Sequence, residues 1–248
     1  MTLQDFFTQN TRVALAFSGG VDSAFLLYAA KSYGAAVRAY YVKTPFQPQF
    51  EYEDAQRFAA ALVVPMTTLK LDVLWDPAIA ANPPERCYFC KKRIFTAILE
   101  AAKADGFSLI IDGTNASDDA ADRPGMRALH ELQVRSPLRE CGLTKEQIRR
   151  LSREAGLFTH DKPAYACLAT RIPTGTPITE ELLQRTERSE QLLRQLGFSD
   201  FRIRLLGNAA KIQLPAAQLD LMLQHRETIL TELKKYYDSV LLDLEVRQ

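Results

Sequence analysis

The stretch Ser18-Gly19-Gly20-Val21-Asp22-Ser23 constrains the fold more than any other part of the chain. It lies between two apolar runs, Val13 to Phe17 and Ala24 to Ala30, and that pattern reads as strand, tight loop, helix. Two glycines let the backbone turn sharply and approach a ligand closely. The free amides at the start of the helix, aided by its dipole, then form an anion site. Ser18 and Ser23 add hydroxyl donors, and Asp22 adds a carboxylate able to hold a metal ion or a leaving-group proton. A Walker loop would carry lysine after its last glycine, whereas Val21 and Asp22 stand there, and the spacing is not that of a dinucleotide loop. The full string in this context is far more specific than a lone Gly-Gly turn. It points to a phosphate-binding loop of another kind.

The order of elements predicts the frame around it. A short amphipathic helix carries Leu3, Phe6 and Phe7. The helix after the loop ends near Gly34, a C-cap. Val37 to Val42 reads as a second strand, Tyr52 to Ala61 as a helix, and Met66 to Leu71 as a third strand. After Asn82-Pro83-Pro84, a helix runs to about Asp105. Leu109 to Ile111 is a fourth strand opening into Asp112-Gly113-Thr114-Asn115, and Val134 to Ser136 a short fifth. Thr144 with Gln147 forms a capping box, and the helix it starts closes at Gly156. Strands alternating with helices predict an α/β fold with a parallel, doubly wound sheet. In such sheets ligands bind beyond the carboxyl ends of the strands, where the Ser18 loop lies. Phe158 to Pro177 is irregular but rich in chemistry: His160, Asp161, Lys162, Tyr165, Cys167, Thr170 and Arg171. The expected domains are 1–175 and 176–248, the second a small α+β unit of helix, two strands, helices and a strand.

The cysteines leave several readings open. Cys87 and Cys90 stand at the start of a helix, Cys167 in the irregular stretch and Cys141 in a turn. Structural zinc needs four ligands, which Cys87, Cys90 and Cys167 would complete with His160 or Cys141. Three thiolates also hold a [4Fe–4S] cluster with one iron free of protein, and that iron can bind an added sulfide. A redox pair would need a thioredoxin-like fold, which the rest of the chain does not suggest. An incidental Cys-x-x-Cys is the plain alternative.

The Ser18 loop resembles the PP-loop of ATP pyrophosphatases, which split ATP into AMP and pyrophosphate. Five segments together resemble the LarE family, the PP-loop sulfur transferases of nickel-pincer nucleotide biosynthesis. They are the Ser18 loop, Asp112-Gly113-Thr114-Asn115, Arg123-Pro124-Gly125, Ser136-Pro137-Leu138, and Ala166-Cys167-Leu168-Ala169-Thr170-Arg171-Ile172-Pro173-Thr174-Gly175. The resemblance runs from about Val13 to Leu244. It implies the HUP-like fold of PP-loop enzymes, ATP and Mg²⁺, and a pyridinium-3,5-biscarboxylic acid mononucleotide as substrate. Its carboxylates are adenylated and then converted to thiocarboxylates. In one branch a single cysteine matching Cys167 surrenders its own sulfur. In the other, cysteines matching Cys87, Cys90 and Cys167 carry a [4Fe–4S] cluster fed by a sulfide source. This chain has all three, which favours the cluster branch.

Roles follow from the chemistry of the residues, and for the second unit from the resemblance. Ser18, Gly19, Gly20, Asp22 and Ser23 would grip pyrophosphate, with Asp22 helping to hold Mg²⁺. Lys91 and Arg171 would stabilise phosphate charge, and Asp112 and Thr114 would lie near the nucleotide. Arg202 and Arg204 alternate on one strand and so share a face; the matching family pair binds a phosphate. Glu190 matches a glutamate associated with a metal, but Gln213 stands where the sacrificial branch has a second one. That departure puts a carboxylate metal site in doubt. A lone arginine or lysine is otherwise a solvated charge, and His130, His160 and His225 have no spacing that marks a site. The family also implies a homo-oligomer.

Composition narrows the alternatives. Basic and acidic residues leave a net charge of +1, without a polybasic tail, so no nucleic acid is expected. A tRNA-thiolating enzyme, the nearest rival, needs a broad basic surface. An ammonia-dependent synthetase using the same ATP chemistry is a second rival, and a non-enzymatic nucleotide-binding module a third. Met1 to Asn10 holds no basic cluster of a signal peptide, and no apolar run reaches the roughly 20 residues that span a bilayer. A cytoplasmic protein with reduced thiols is therefore expected.

Overall fold

The computed structural model describes residues 1–118 and 124–245 and divides them into two compact units. Residues 1–73 and 85–162 form the first, and 74–84 with 163–248 the second. Arg123 lies outside the described residues. No helix among them is long and apolar enough to cross a membrane.

In the first unit α1 (Leu3–Gln9) leads into β1 (Arg12–Ala16), followed by α2 (Val21–Ser32), β2 (Ala36–Lys43), α3 (Gln49–Ala61) and β3 (Met66–Lys70). The chain then passes through 74–84, which carries α4 (Pro77–Ala80) and belongs to the second unit, and returns at α5 (Arg86–Ala104). β4 (Ile110–Asp112), α6 (Pro124–Glu131), α7 (Pro137–Glu140) and α8 (Lys145–Glu154) follow. The strands form a parallel sheet in the order β3–β2–β1–β4, with Leu15 opposite both Ala39 and Ile111.

Alternation along the strands explains why the sheet is covered on both sides. Val13, Leu15, Phe17, Ala39 and Tyr41 join α2 and α3 in one core cluster. Their neighbours Ala14, Tyr40 and Val42 turn the other way and join Phe95, Ile98 and Ala102 of α5. Each large aliphatic or aromatic side chain fully buried in this way contributes about 1.5–3 kcal/mol. This is the doubly wound α/β fold expected of a PP-loop, HUP-like protein. The strand order reverses between β1 and β4, so the loops leaving both strands meet at the switch point, where open α/β sheets bind ligands.

The expected fifth strand at Val134 to Ser136 is reduced to a single bridge between Ile111 and Arg135. Pro137 supplies no backbone N–H and opens α7, which ends the pairing.

The second unit contains α9 (Glu180–Gln195), β5 (Arg202–Leu206), β6 (Ala209–Gln213), α10 (Leu219–Gln224), α11 (Arg226–Leu233) and β7 (Ser239–Leu242). β5 and β6 form an antiparallel hairpin and β7 adds to β6 in parallel. Leu193, Phe198, Ile203, Ile212, Ile229 and Leu233 build its core.

Compaction divides the chain at Lys162–Pro163, upstream of the 175/176 division read from sequence, and adds 74–84 to the second unit. Asn82 is the cause. Its side chain donates to the carbonyls of Pro173 (2.8 Å) and Thr176 (3.1 Å), and its own carbonyl accepts from Gly175 N–H. Ala80 likewise accepts from Ile178. These side-chain and backbone ties have no periodicity for a sequence to display.

Candidate active site

The Ser18 loop is shaped by close backbone approach. Gly19 has φ +75°, and a Cβ there would stand 3.0 Å from Ala55 Cβ. Gly20 caps α2 without a side chain, leaving the first-turn amides open. The two serine hydroxyls lie 3.0 Å apart, and Ser23 Oγ donates to Gly20 O (3.2 Å), which holds the loop in its turn. Gly113 lets the end of β4 come against this loop, for a Cβ there would lie 2.8 Å from Ser23 N.

A cavity of about 330 Å³ opens at this point. Ser18, Gly20, Asp22 and Ser23 line it from the loop side, Asp112, Gly113 and Thr114 from β4, and Lys91 from α5. Seven of the residues expected to bind ATP or its phosphates therefore surround one space; Gly19 shapes the turn instead. The Lys91 stem crosses α6 at Gly125, where a Cβ would meet Lys91 Cδ at 2.8 Å. Asp112 accepts from the hydroxyls of Thr114 and Ser136, so its carboxylate is fixed at the strand end.

Asp22 has a partner that sequence reasoning did not supply. Lys145 Nζ, from the first position of α8, lies 2.6 Å from Asp22 Oδ2. Oδ1 is buried with no hydrogen-bond partner among the described residues. Burial pushes the Asp22 carboxyl above the usual carboxylate range; Lys145 and Arg149 oppose the shift and Asp118 adds to it. The capping box at Thr144 reveals where α8 starts, but no local signal shows where the lysine head lands.

Cys87 and Cys90 occupy the first turn of α5, three residues apart and so on one face. Cys87 is exposed, and Arg86 Nη2 donates to its sulfur at 3.5 Å. Between them, Tyr88 packs under the Arg127 guanidinium (3.8 Å) and donates to Glu131 (2.9 Å), tying this turn to α6. Lys162, at the end of the first unit, lies 3.0 Å from both Glu51 and Asp54 of α3.

Cys167 belongs to the second unit, where it caps a short 3-10 turn, Leu168–Arg171. Its carbonyl accepts from Thr170 N–H (3.0 Å) and Thr170 Oγ1 (2.8 Å). Arg171 is buried and forms a two-pronged ion pair with the buried Glu190, at 2.7 and 3.1 Å. A further arm of Arg171 donates to Ala166 O at 3.0 Å. Glu190 also accepts from Tyr165 OH (2.5 Å) and Ile203 N–H (3.0 Å). Burial and the neighbouring Glu190 charge raise the Tyr165 phenol, so it stays a donor. Arg171 and Glu190 thus form a buried ion pair with each other in this structure.

Arg202 and Arg204 lie on one face of β5, as alternation requires, and both reach the Cys167 loop. Arg202 donates to Ala164 O, and Arg204 to Thr170 O at 3.3 Å. Gln213 accepts from Arg204 Nε (2.7 Å) and donates to Asp243 (2.7 Å). Among the described residues, no three His, Cys, Asp or Glu side chains gather as a site for a metal ion.

No protein-family model matches the chain. It is 31% identical over 236 residues to the pyridinium-3,5-bisthiocarboxylic acid mononucleotide synthase of Lactiplantibacillus plantarum, covering 94% of this chain and 86% of that protein. An uncharacterised protein of Synechocystis is 37% identical over 251 residues, covering 98% of this chain and 92% of its own. The tRNA-specific 2-thiouridylase MnmA 2 of Clostridium botulinum is 30% identical over 182 residues, covering 60% of this chain and 52% of that enzyme.

Proposed function

The chain belongs to the LarE family of pyridinium-3,5-bisthiocarboxylic acid mononucleotide synthases, and we propose that it converts a pyridinium-3,5-biscarboxylic acid mononucleotide to the thiocarboxylate at the cost of ATP. It is an ATP-dependent sulfur transferase. The observation that carries the reading is the cavity in which the Ser18 loop, Lys91, Asp112 and Thr114 meet.

In this reading a substrate carboxylate oxygen attacks the α-phosphorus of ATP, and the bond to the β-phosphate bridge oxygen breaks. Pyrophosphate leaves into the Ser18–Ser23 loop, where amides and hydroxyls take its charge. Lys91 adds an ammonium, and Asp22 is the carboxylate that would hold Mg²⁺ against phosphate oxygens. A sulfur nucleophile then attacks the acyl carbon of the adenylate, and AMP leaves. Repetition at the second carboxylate completes the product.

Cys87, Cys90 and Cys167 are the residues that would hold a [4Fe–4S] cluster, which when bound supplies a sulfide on the iron lacking a protein ligand. Their chemistry fits that role: none of the three is in a disulfide, and Arg86 already donates to the Cys87 sulfur. Arg202 and Arg204 would take the substrate phosphate. Arg171 and Glu190, being paired with each other, would position the Cys167 loop rather than touch substrate.

Anaerobic purification with iron and sulfide analysis tests the cluster. About four irons per chain, lost in Cys87→Ala and Cys167→Ala variants, is the expected result. Absence of iron together with conversion of Cys167 to dehydroalanine would replace the cluster with a sacrificed cysteine. Full activity in both variants would instead point to an ammonia-dependent synthetase. Co-purifying RNA with steeply salt-dependent binding would favour tRNA thiolation.

A further inference from the structure

The charge balance of the cavity raises a question that Lys91 alone does not answer. Among the described residues lining it, Lys91 is the single cation against three carboxylates, Asp22, Asp112 and Asp118. A triphosphate adds about four negative charges to that space, and each phosphate oxygen taken from water needs a donor or a cation. Asp112 is satisfied by two hydroxyls, but Asp22 is not: one oxygen is buried without a partner and the other holds Lys145 at 2.6 Å. Lys145 is about one-third exposed, so its four-carbon stem has room to turn. Arg149, one turn along α8, is the other cation facing Asp22.

We propose that Lys145 is a phosphate ligand held in reserve: it rests on Asp22 in this structure and passes to the oxygens of the pyrophosphate portion when ATP enters. The proposal rests on reading the Ser18 loop as the pyrophosphate site. The exchange is electrostatically matched. Asp22 would hold a cation that comes with the nucleotide, and the Lys145 ammonium, once off Asp22, meets the charge that grows on the leaving pyrophosphate. Lys145 then does from α8 what the lysine of a Walker loop does from within its own loop, where this chain has Val21 and Asp22.

The test separates a direct phosphate contact from an effect relayed through Asp22. Binding of inorganic pyrophosphate is measured by calorimetry in EDTA, so that no metal is needed, for wild type, Asp22→Asn, Lys145→Gln and the double variant. Asp22→Asn removes a repelling charge and frees Lys145, so it tightens binding. Adding Lys145→Gln to that background then weakens binding roughly tenfold or more, the loss expected for a charge-assisted hydrogen bond. Thermal melts confirm folding; Lys145 is at the helix start and its cap, Thr144, is untouched. Equal, measurable affinity of Asp22→Asn and the double variant overturns the role of Lys145 but leaves the pyrophosphate loop standing. No binding to any of the four proteins overturns both.

Discussion

Replacing Arg171 by methionine tests the packing account of the Cys167 loop. The substitution keeps roughly the stem volume but removes the guanidinium, leaving Glu190 a buried charge. Both side chains of the pair are 1% exposed, so water does not screen what remains. Removing one partner of such a pair costs about 3–5 kcal/mol. In a chain of this size each kcal/mol moves the midpoint by about 2–4 °C, so the melting temperature falls by roughly 6–20 °C. Glu190→Gln strands the Arg171 cation and costs a similar amount. The double variant Arg171→Met/Glu190→Gln carries no charge at the pair. One end of the amide accepts from Ile203 N–H and the other donates to a Tyr165 hydroxyl turned to accept, so the double variant is more stable than either single variant, losing only about 1–3 kcal/mol. Circular-dichroism melts of the four proteins decide the matter. A double-variant loss equal to the sum of the two single losses would refute the coupled pair. So would an Arg171→Met protein melting within 2 °C of wild type.

Three further outcomes follow from the geometry. Gly113→Ala forces its Cβ to 2.8 Å from the backbone of Ser23, so β4 and the phosphate loop separate and the KM for ATP rises about tenfold or more, read by pyrophosphate release. Asn82→Ala leaves the half-buried carbonyls at Pro173 and Thr176 without their donor and puts alanine at φ +55°. It costs about 2–4 kcal/mol by thermal melt, and limited proteolysis cuts the 163–178 segment faster. Glu140 is held below its ordinary range, first by the Arg135 guanidinium. Its contribution is thus full above about pH 4.5 and disappears as the pH falls through the lowered folded value. Glu140→Gln therefore costs up to about 1 kcal/mol at pH 7, limited by solvent screening, and the gap to wild type closes in melts at pH 3.

The Ser18 turn and the sheet around it were legible because both follow local rules. Period-two alternation marks β1 and β2, and a glycine pair after a strand requires a turn that only glycine accommodates at Gly19. The capping box at Thr144 marks α8 in the same way. What was not legible depends on pairs far apart in the chain. Lys145 meets Asp22 across more than a hundred residues, and an ordinary lysine in a helix start carries no sign of it. Arg171 reads as a group that stabilises phosphate charge; its burial against Glu190 depends on how α9 and β5 pack and carries no sequence sign. Asn82 read as punctuation before two prolines, yet its amide binds the far end of the Cys167 loop. Side-chain ties of this sort fix domain limits without leaving a period.

In the proposed reaction the pyrophosphate chemistry of one loop drives sulfur transfer to a carboxylate. Single-turnover reaction of the anaerobically purified protein with ATP and the pyridinium biscarboxylate tests it directly, by counting AMP, pyrophosphate and thiocarboxylate from the same sample. One AMP and one pyrophosphate are expected for each thiocarboxylate formed, with no ADP. Formation of ADP and phosphate, or AMP release without any thiocarboxylate, would contradict it.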